Sequence, residues 1–233
     1  LKNIKSVFNN CGVNIEKIIL KSFAEGVNLL SKSSSDKNFS ILRIEKSRIN
    51  VSLFKNKSFV FTEDFTFGLN LIIKDVSKLC SLKIEEVEYF MKEVDLKNAI
   101  ANDDESYLEK KYFYISPYRK IKHQLIYEIM SARLEELFEI CIFRNINVKS
   151  LQNNYKIYVY IEQPEYYKNI QHILENSKLA TLECIFSDNK EQSLFGGING
   201  ACELIGRGWA KEAIPVIHKK KSLISGFFSR LFS

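Results

Sequence analysis

Three runs of alternating apolar and polar residues, FSILRIE (39–45), RINVSLFK (48–55) and SFVFTEDF (58–65), follow one another almost without spacers. Alternation with a period of two puts every second side chain on one face of an extended strand, most plainly at Ile49, Val51 and Leu53. The Lys55–Asn56–Lys57 step leaves room only for a hairpin turn. The chain must therefore build an antiparallel meander here, and what surrounds the meander decides the fold class. Upstream, residues 1–10 read as the end of a helix, NIEKIIL (14–20) as a short strand, KSFAEGVNLL (21–30) as a helix and SKSSSDKN (31–38) as a polar loop. Downstream, Gly68 opens a helix through LIIKDVSKL (71–79), and IEEVEYFMKE (84–93) makes a second. NDDES (102–106) is an acidic loop, and YFYIS (112–116) is predicted to be a strand. A long helix follows Pro117, with Ile121, Leu125, Ile129, Leu134, Leu137 and Ile140 near helical spacing. Strand KIYVYIE (156–162), helix YYKNIQHIL (166–174), strand ATLECIF (180–186) and helix FGGINGACELIGRGW (195–209), small on one face, complete a mixed α/β order.

Composition narrows the class. With 233 residues, 45% hydrophobic and 27% charged, the chain can bury a real core in one large or two small domains. No window approaches eighteen continuous apolar residues, so no transmembrane helix is expected, and LKNIKSVFNN at the start is not a signal peptide. The start at Leu1 rather than Met reads as a chain that begins partway along, with more sequence upstream. Cys11, Cys80, Cys141, Cys184 and Cys202 are odd in number, widely spaced and without a CxxC, which is the usage of reduced thiols in the cytoplasm. His123, His172 and His218 stand at no ligand spacing to any of them, so no metal site is expected. No Ser/His/Asp or Cys/His set is present, nor paired carboxylates with a supporting site, so no catalytic set is expected.

The net charge of +6 is modest, and much of the excess sits in the final stretch KKKSLISGFFSRLFS (219–233). That argues against a nucleic-acid surface and for a local basic patch. On a helix, Leu223, Ile224, Phe227, Phe228, Leu231 and Phe232 span about half the circumference. Ser222, Ser225, Gly226, Ser229 and Arg230 take the other half. Lys219, Lys220, Lys221 and Arg230 supply four cations against no carboxylate. Gly226 costs about 1 kcal/mol relative to Ala, so such a helix needs a surface to form on. Two surfaces qualify: the chain's own body, or the anionic interface of a membrane.

The order of these segments, closed by a basic amphipathic tail, resembles the FtsA family of actin-like bacterial cell-division proteins. LKNIKSVFNNCGVNIEKIILKSFAEGVNLL looks like the family's passage out of its first lobe, and FGLNLIIKDVS like its "GG..iT.Dia" segment, with Gly68 and Asp75 kept and Leu69 in place of the second glycine. SARLEELFEI (131–140) is similar to the "epRv.Eil.lv" helix, and GGINGACELIG (196–206) to the stretch before the terminal linker. The resemblance implies an α/β, actin-like (ribonuclease H-like) ATPase fold, mainly its second lobe. It divides the chain into the end of a first lobe (1–37), a core subdomain (38–79 and 138–208), an outer subdomain (80–137), a linker (209–221) and a membrane-targeting helix (222–233).

Departures from the family pattern concern the nucleotide. Where the family carries the glycine-rich DIGGGTTD turn, this chain reads Arg43–Ile44–Glu45–Lys46–Ser47–Arg48–Ile49–Asn50. Side chains at Glu45, Lys46 and Ser47 obstruct close backbone approach to a phosphate, and Glu45 adds a repelling charge. The family's GG turn against adenosine is replaced by Ile161–Glu162–Gln163–Pro164. ATP and magnesium, the family's cofactors, are therefore not expected to bind in the family's manner. The partner site is better kept. Arg119 in SPYRK, and Arg133 with Glu136 in SARLEE, match the positions with which the family grips the C-terminal peptide of the tubulin-like FtsZ. Lys120, Lys122 and His123 are expected to add positive potential. The resemblance further implies self-association into actin-like filaments at the cytoplasmic face of the inner membrane, at the division site. Two alternatives stay open: an actin-fold ATPase whose nucleotide controls polymerisation, and a pilus-assembly scaffold of the PilM kind.

Overall fold

A computed structural model describes residues 2–15, 17–32, 37–102, 106–150, 155–177, 183–187 and 190–206. Its elements run α1 (Lys2–Asn10), α2 (Lys21–Lys32), β1 (Phe39–Ile44), β2 (Ile49–Lys55), β3 (Ser58–Phe65), α3 (Leu69–Cys80), α4 (Ile84–Glu93), α5 (Leu96–Asn102), α6 (His123–Phe138), α7 (Ile146–Lys149), β4 (Lys156–Ile161), α8 (Tyr167–Glu175), β5 (Glu183–Ser187) and α9 (Lys190–Gly206). The meander forms as its pattern requires. The turn between β2 and β3 is closed by Asn56 and Lys57, both at positive φ, the conformation a two-residue hairpin needs. The sheet order is β3-β2-β1-β4-β5, with β2 antiparallel to β1 and β3, and β4 parallel to β1 and β5.

The three central strands, β1, β2 and β4, are buried on both faces, so helices cover both sides of the sheet there. Leu42 and Ile44 of β1, Ile49, Val51 and Leu53 of β2, and Ile157, Val159 and Ile161 of β4 build the larger core with α3, α4, α6 and α8. Phe39, Ile41, Phe54, Tyr158 and Tyr160 point the other way and pack with Phe23 of α2. There α9 crosses α2 at very close range: a Cβ built on Gly200 would stand 1.7 Å from the Ala24 carbonyl oxygen. The small-faced helix of the sequence reading is thus a backbone-to-backbone contact.

Several expectations need correction. The described residues of 14–20 do not form a strand: none of them has a ladder partner, and Ile18 and Leu20 are exposed. Residues 112–116 are not a strand either. A 3-10 turn covers Lys110–Tyr112, and the Ile115 and Ser116 N–H groups donate to the Glu86 carboxylate, both at 2.7 Å, instead of to a ladder. Helix α6 exists, but its buried stripe is His123, Ile126, Met130, Leu134, Leu137 and Phe138. Leu125 and Ile140 of the expected stripe face solvent. A π-helical turn over Glu139–Phe143 inserts extra chain, so Cys141 and Ile142 turn inward in place of Ile140. Residues 207–209 of the last predicted helix, the linker and the terminal segment lie outside the described residues.

The α2–α9 crossing gives a paired prediction. Gly200→Ala drives a methyl into the Ala24 backbone and should destabilise the protein by about 2 kcal/mol. Gly197→Ala meets only the Lys21 and Glu25 side chains, at 3.6 and 3.9 Å, and should be neutral or gain up to about 1 kcal/mol of helix propensity. Urea midpoints of the two variants and the parent check the contrast.

Candidate functional site

The carboxyl ends of parallel strands are where an open α/β sheet normally receives a ligand. Here those ends are β1 running into Glu45–Arg48 and β4 running into Glu162–Pro164. The first turn closes on itself, with the Glu45 N–H donating to the Arg48 carbonyl at 2.9 Å. None of Glu45, Lys46, Ser47 and Arg48 has a positive φ, so this turn needs no glycine. Its carbonyls then face α3: Leu69 N–H donates to Glu45 O at 3.1 Å and Asn70 N–H to Lys46 O at 2.9 Å. A helix N-terminus is an anion site because its first N–H groups are free. In α3 two of them are already committed to the turn. Gly68 permits the approach, since a Cβ there would lie 2.3 Å from Glu45 O and 2.7 Å from Arg48 N.

Side chains lock the same turn. Buried Glu45 pairs with Arg48 across it, so its charge is compensated rather than presented as an open repelling group. The Glu45 hydrogen bond and its charge push the Arg48 guanidinium further up. Lys46 reaches Glu88 of α4 at 2.6 Å, and Ser47 is exposed.

The second turn is tied to the first strand. Glu162 N–H donates to Ile44 O at 3.0 Å, and the Glu162 carboxylate receives Lys21 at 3.3 Å and Arg43 at 3.4 Å. Arg43 also pairs with Glu25 of α2, both side chains almost wholly buried, and its guanidinium stands 5.3 Å from the centre of the Tyr160 ring. Two cations and two anions make this network neutral. Burial first, then Glu25, push the Tyr160 hydroxyl up to about 12, with Arg43 opposing. Ile161 is buried as the last residue of β4. One group here invites a donor: Gln163 Oε1, buried with no hydrogen-bond partner. Among the described residues the phosphate side has no counterpart to it.

The arginine face is a separate region. Arg133 in α6 pairs with Asp75 of α3 and, at 2.5 Å, with Glu136 one turn on. The Asp75 hydrogen bond, then the Asp75 and Glu136 charges, outweigh desolvation and push the Arg133 guanidinium up. Three residues apart, Arg133 and Glu136 share a face of α6. The Asp75 contact was not foreseen, because 58 residues separate the partners. Beside them a groove of about 370 Å³ is lined by Ala132, Glu135, Glu136, Glu139 and Arg144. Arg144 is itself bonded to Glu139 at 3.2 Å, so this groove is acidic.

Arg119 lies elsewhere, exposed in the loop before α6, whereas Arg133 is ten residues into that helix, about 15 Å along its axis. The loop around Arg119 is basic and aromatic. Lys120 lies 5.8 Å from the Tyr107 ring centre, and Phe113 stacks edge-on against half-exposed Tyr118. Lys122 is the residue preceding α6. His123 does not add charge: it is buried, its Nδ1 lies 2.9 Å from Ser106 Oγ, and burial lowers its pKa below the ordinary value. The loop is held by Glu86 of α4, fully buried, which takes two bonds from Ser116, one from Ile115 and one from Lys83. Burial alone would raise the Glu86 carboxyl, but these donors hold it at about 2.

The membrane-contact residues named from the sequence, Lys219–Lys221, Leu223, Ile224, Phe227, Phe228 and Arg230–Phe232, lie outside the described residues. No helix among the described residues is long and apolar enough to cross a membrane. No cluster able to hold a metal occurs among them.

Comparison with known proteins fits this geometry into a lineage. No family model matches the chain. The cell division protein FtsA of Neisseria meningitidis serogroup B is 21% identical over 142 residues, 61% of this chain and 34% of FtsA. The chain thus spans about a third of the length of that relative. MreB5 of Spiroplasma citri, in a crystal structure bound to ADP, superposes with a TM-score of 0.57 at 12% identity over 88% of this chain and 64% of MreB5. The ethanolamine utilization protein EutJ of Carboxydothermus hydrogenoformans gives 0.51 at 11%, over 83% of this chain and 58% of EutJ. The fold is the actin-like one expected, and the chain is a divergent, FtsA-like example of it.

Glu86 supplies a pH prediction. A carboxylate held below its unfolded value stabilises the fold fully above about pH 4.5, and that contribution is lost as pH falls toward 2. Glu86→Gln should cost on the order of 2 kcal/mol at pH 7, because buried donors lose a charged acceptor. The gap between variant and parent should narrow below pH 4.5. Chemical denaturation at a series of pH values measures both.

Proposed function

We propose that this chain is a cell-division adaptor rather than a nucleotide-driven switch. In this reading one surface takes the acidic C-terminal peptide of FtsZ, the terminal segment lies in the anionic inner leaflet, and the body joins the two. The observation that carries the choice of adaptor over ATPase is the commitment of the first α3 donors to Glu45 O and Lys46 O. A phosphate would have to displace both bonds, along with the Arg48–Glu45 and Lys46–Glu88 pairs. Similarity to FtsA supports the division role. The tail's sequence supports the membrane: six large apolar residues on one helical face and four cations with no carboxylate.

Electrostatics divide the peptide site unevenly. Arg133 already holds two carboxylates, and the groove next to it is acidic. An acidic peptide must compete there with Asp75 and Glu136. The Arg119 loop, with Lys110, Lys111, Lys120 and exposed Tyr118 nearby in sequence, offers the more favourable field. The peptide is accordingly read as anchored at Arg119, with Arg133 and Glu136 setting the backbone it lies against.

Each contact is weak alone. One short amphipathic helix gives marginal, reversible membrane binding, so many copies along a filament are needed for avidity. Self-association in the manner of actin-like proteins completes the mechanism.

Two measurements test it. Co-sedimentation with anionic vesicles should fall sharply on removing residues 222–233; equal pelleting of both forms removes the membrane role. Fluorescence anisotropy with an FtsZ tail peptide should show Arg119→Glu weakening binding about tenfold or more, and Arg133→Glu weakening it less. Unchanged affinity in both variants shows that this surface is not the peptide site.

A further inference from the structure

Helix α9 carries two apolar faces, and only one is used. The face with Gly200 is pressed against α2. On the other side Phe195, Ile198, Cys202 and Ile205, spaced by three and four residues, all lie exposed; Phe195 is 49%, Ile198 56% and Ile205 73% accessible. That spacing makes one continuous stripe. A polar groove of about 660 Å³ between α2 and α9, lined by Asn28, Ser31, Lys32, Asn199, Cys202 and Glu203, meets the stripe at Cys202.

The chain itself holds a segment of the right chemistry and size. From Phe195 to Ile205 the stripe extends ten residues of helix, about 15 Å. Leu223 to Phe232, if helical, presents its six apolar residues over about 14 Å. The sixteen residues between Gly206 and Leu223 reach up to roughly 50 Å when extended, more than enough to return along α9. Other exposed apolar residues, such as Ile4, Val7 and Phe8 of α1, lie at the far end of the sequence from this segment. The α9 stripe has the segment on its own continuation.

We propose that, away from a membrane, residues 223–232 fold back along the Phe195–Ile198–Cys202–Ile205 stripe. Docking on the body and insertion into lipid then compete for one apolar face. The soluble form hides its anchor, and release requires a lipid surface that outbids the stripe. The inference rests on the same amphipathic reading of the tail as the membrane role does, but it makes its own claim about where that face lies without lipid.

Cys202 provides the probe. In full-length protein carrying Cys11→Ser and Phe228→Cys, oxidation with copper phenanthroline in the absence of lipid should give an intramolecular disulfide between Cys202 and the thiol at position 228. Peptide mass analysis identifies the bond, and Cys202→Ser should abolish it. Adding Ile198→Asp should cut the yield about fivefold or more, and so should anionic vesicles. The proposal is overturned if no monomeric crosslink at Cys202 forms, if the crosslink joins only separate copies, if Ile198→Asp leaves the yield unchanged, or if vesicles that the protein does bind leave the yield unchanged. Vesicle co-sedimentation of the same protein is scored separately. Crosslinking without vesicle binding keeps the docking and removes the membrane role, and vesicle binding without crosslinking does the reverse.

Discussion

Two backbone hydrogen bonds, from Leu69 and Asn70 at the head of α3 to the carbonyls of Glu45 and Lys46, hold the β1 turn against the helix that follows the meander. Much else depends on that junction. It needs Gly68, because any side chain there strikes the turn. It lets the turn carry ordinary residues, because no position in it must adopt a left-handed conformation. It also fixes α3, whose Asp75 receives Arg133 and so sets α6. The same strand–turn–helix geometry, with its carbonyls pointing into the helix, becomes a structural joint.

The second junction works by charge. Arg43, Glu25, Glu162 and Lys21 join β1, α2 and the end of β4 in a neutral cluster. A buried pair of this kind adds little net stability over apolar packing, but removing one partner strands the other and costs about 3–5 kcal/mol. Such a cluster therefore fixes geometry more than it adds stability. It sits at the strand ends where open α/β sheets receive ligands, beside the unpartnered Gln163 Oε1. The partner surfaces proposed above, the Arg119 loop and the terminal segment, are both far in sequence from the joint.

The meander, the helices around it and the mixed order were legible because hydrophobic period reports local geometry. Ile49, Val51 and Leu53 could only be one strand face. Residues 112–116 misled because Tyr, Phe and Ile favour strands, while a single buried carboxylate, Glu86, took the N–H groups a strand would have used. The stripe on α6 slipped because a π-helical turn changes the helical phase, and no residue type announces one. At the site, the absence of glycine from both turns was readable. What ties those turns to the rest of the fold was not, since it lies largely in contacts between residues 18 to 141 positions apart. Arg133 was placed correctly on its helix with Glu136, while its bond to Asp75 needed the fold.

The account turns on whether the strand-end joint excludes the nucleotide that an actin-like fold ordinarily holds there. Isothermal titration calorimetry of the full-length protein with ATP and magnesium addresses this most directly. The closed turn predicts heats indistinguishable from dilution, with and without magnesium. Tight, magnesium-dependent ATP binding would contradict it, because the phosphate donors at the head of α3 would then have to be available after all.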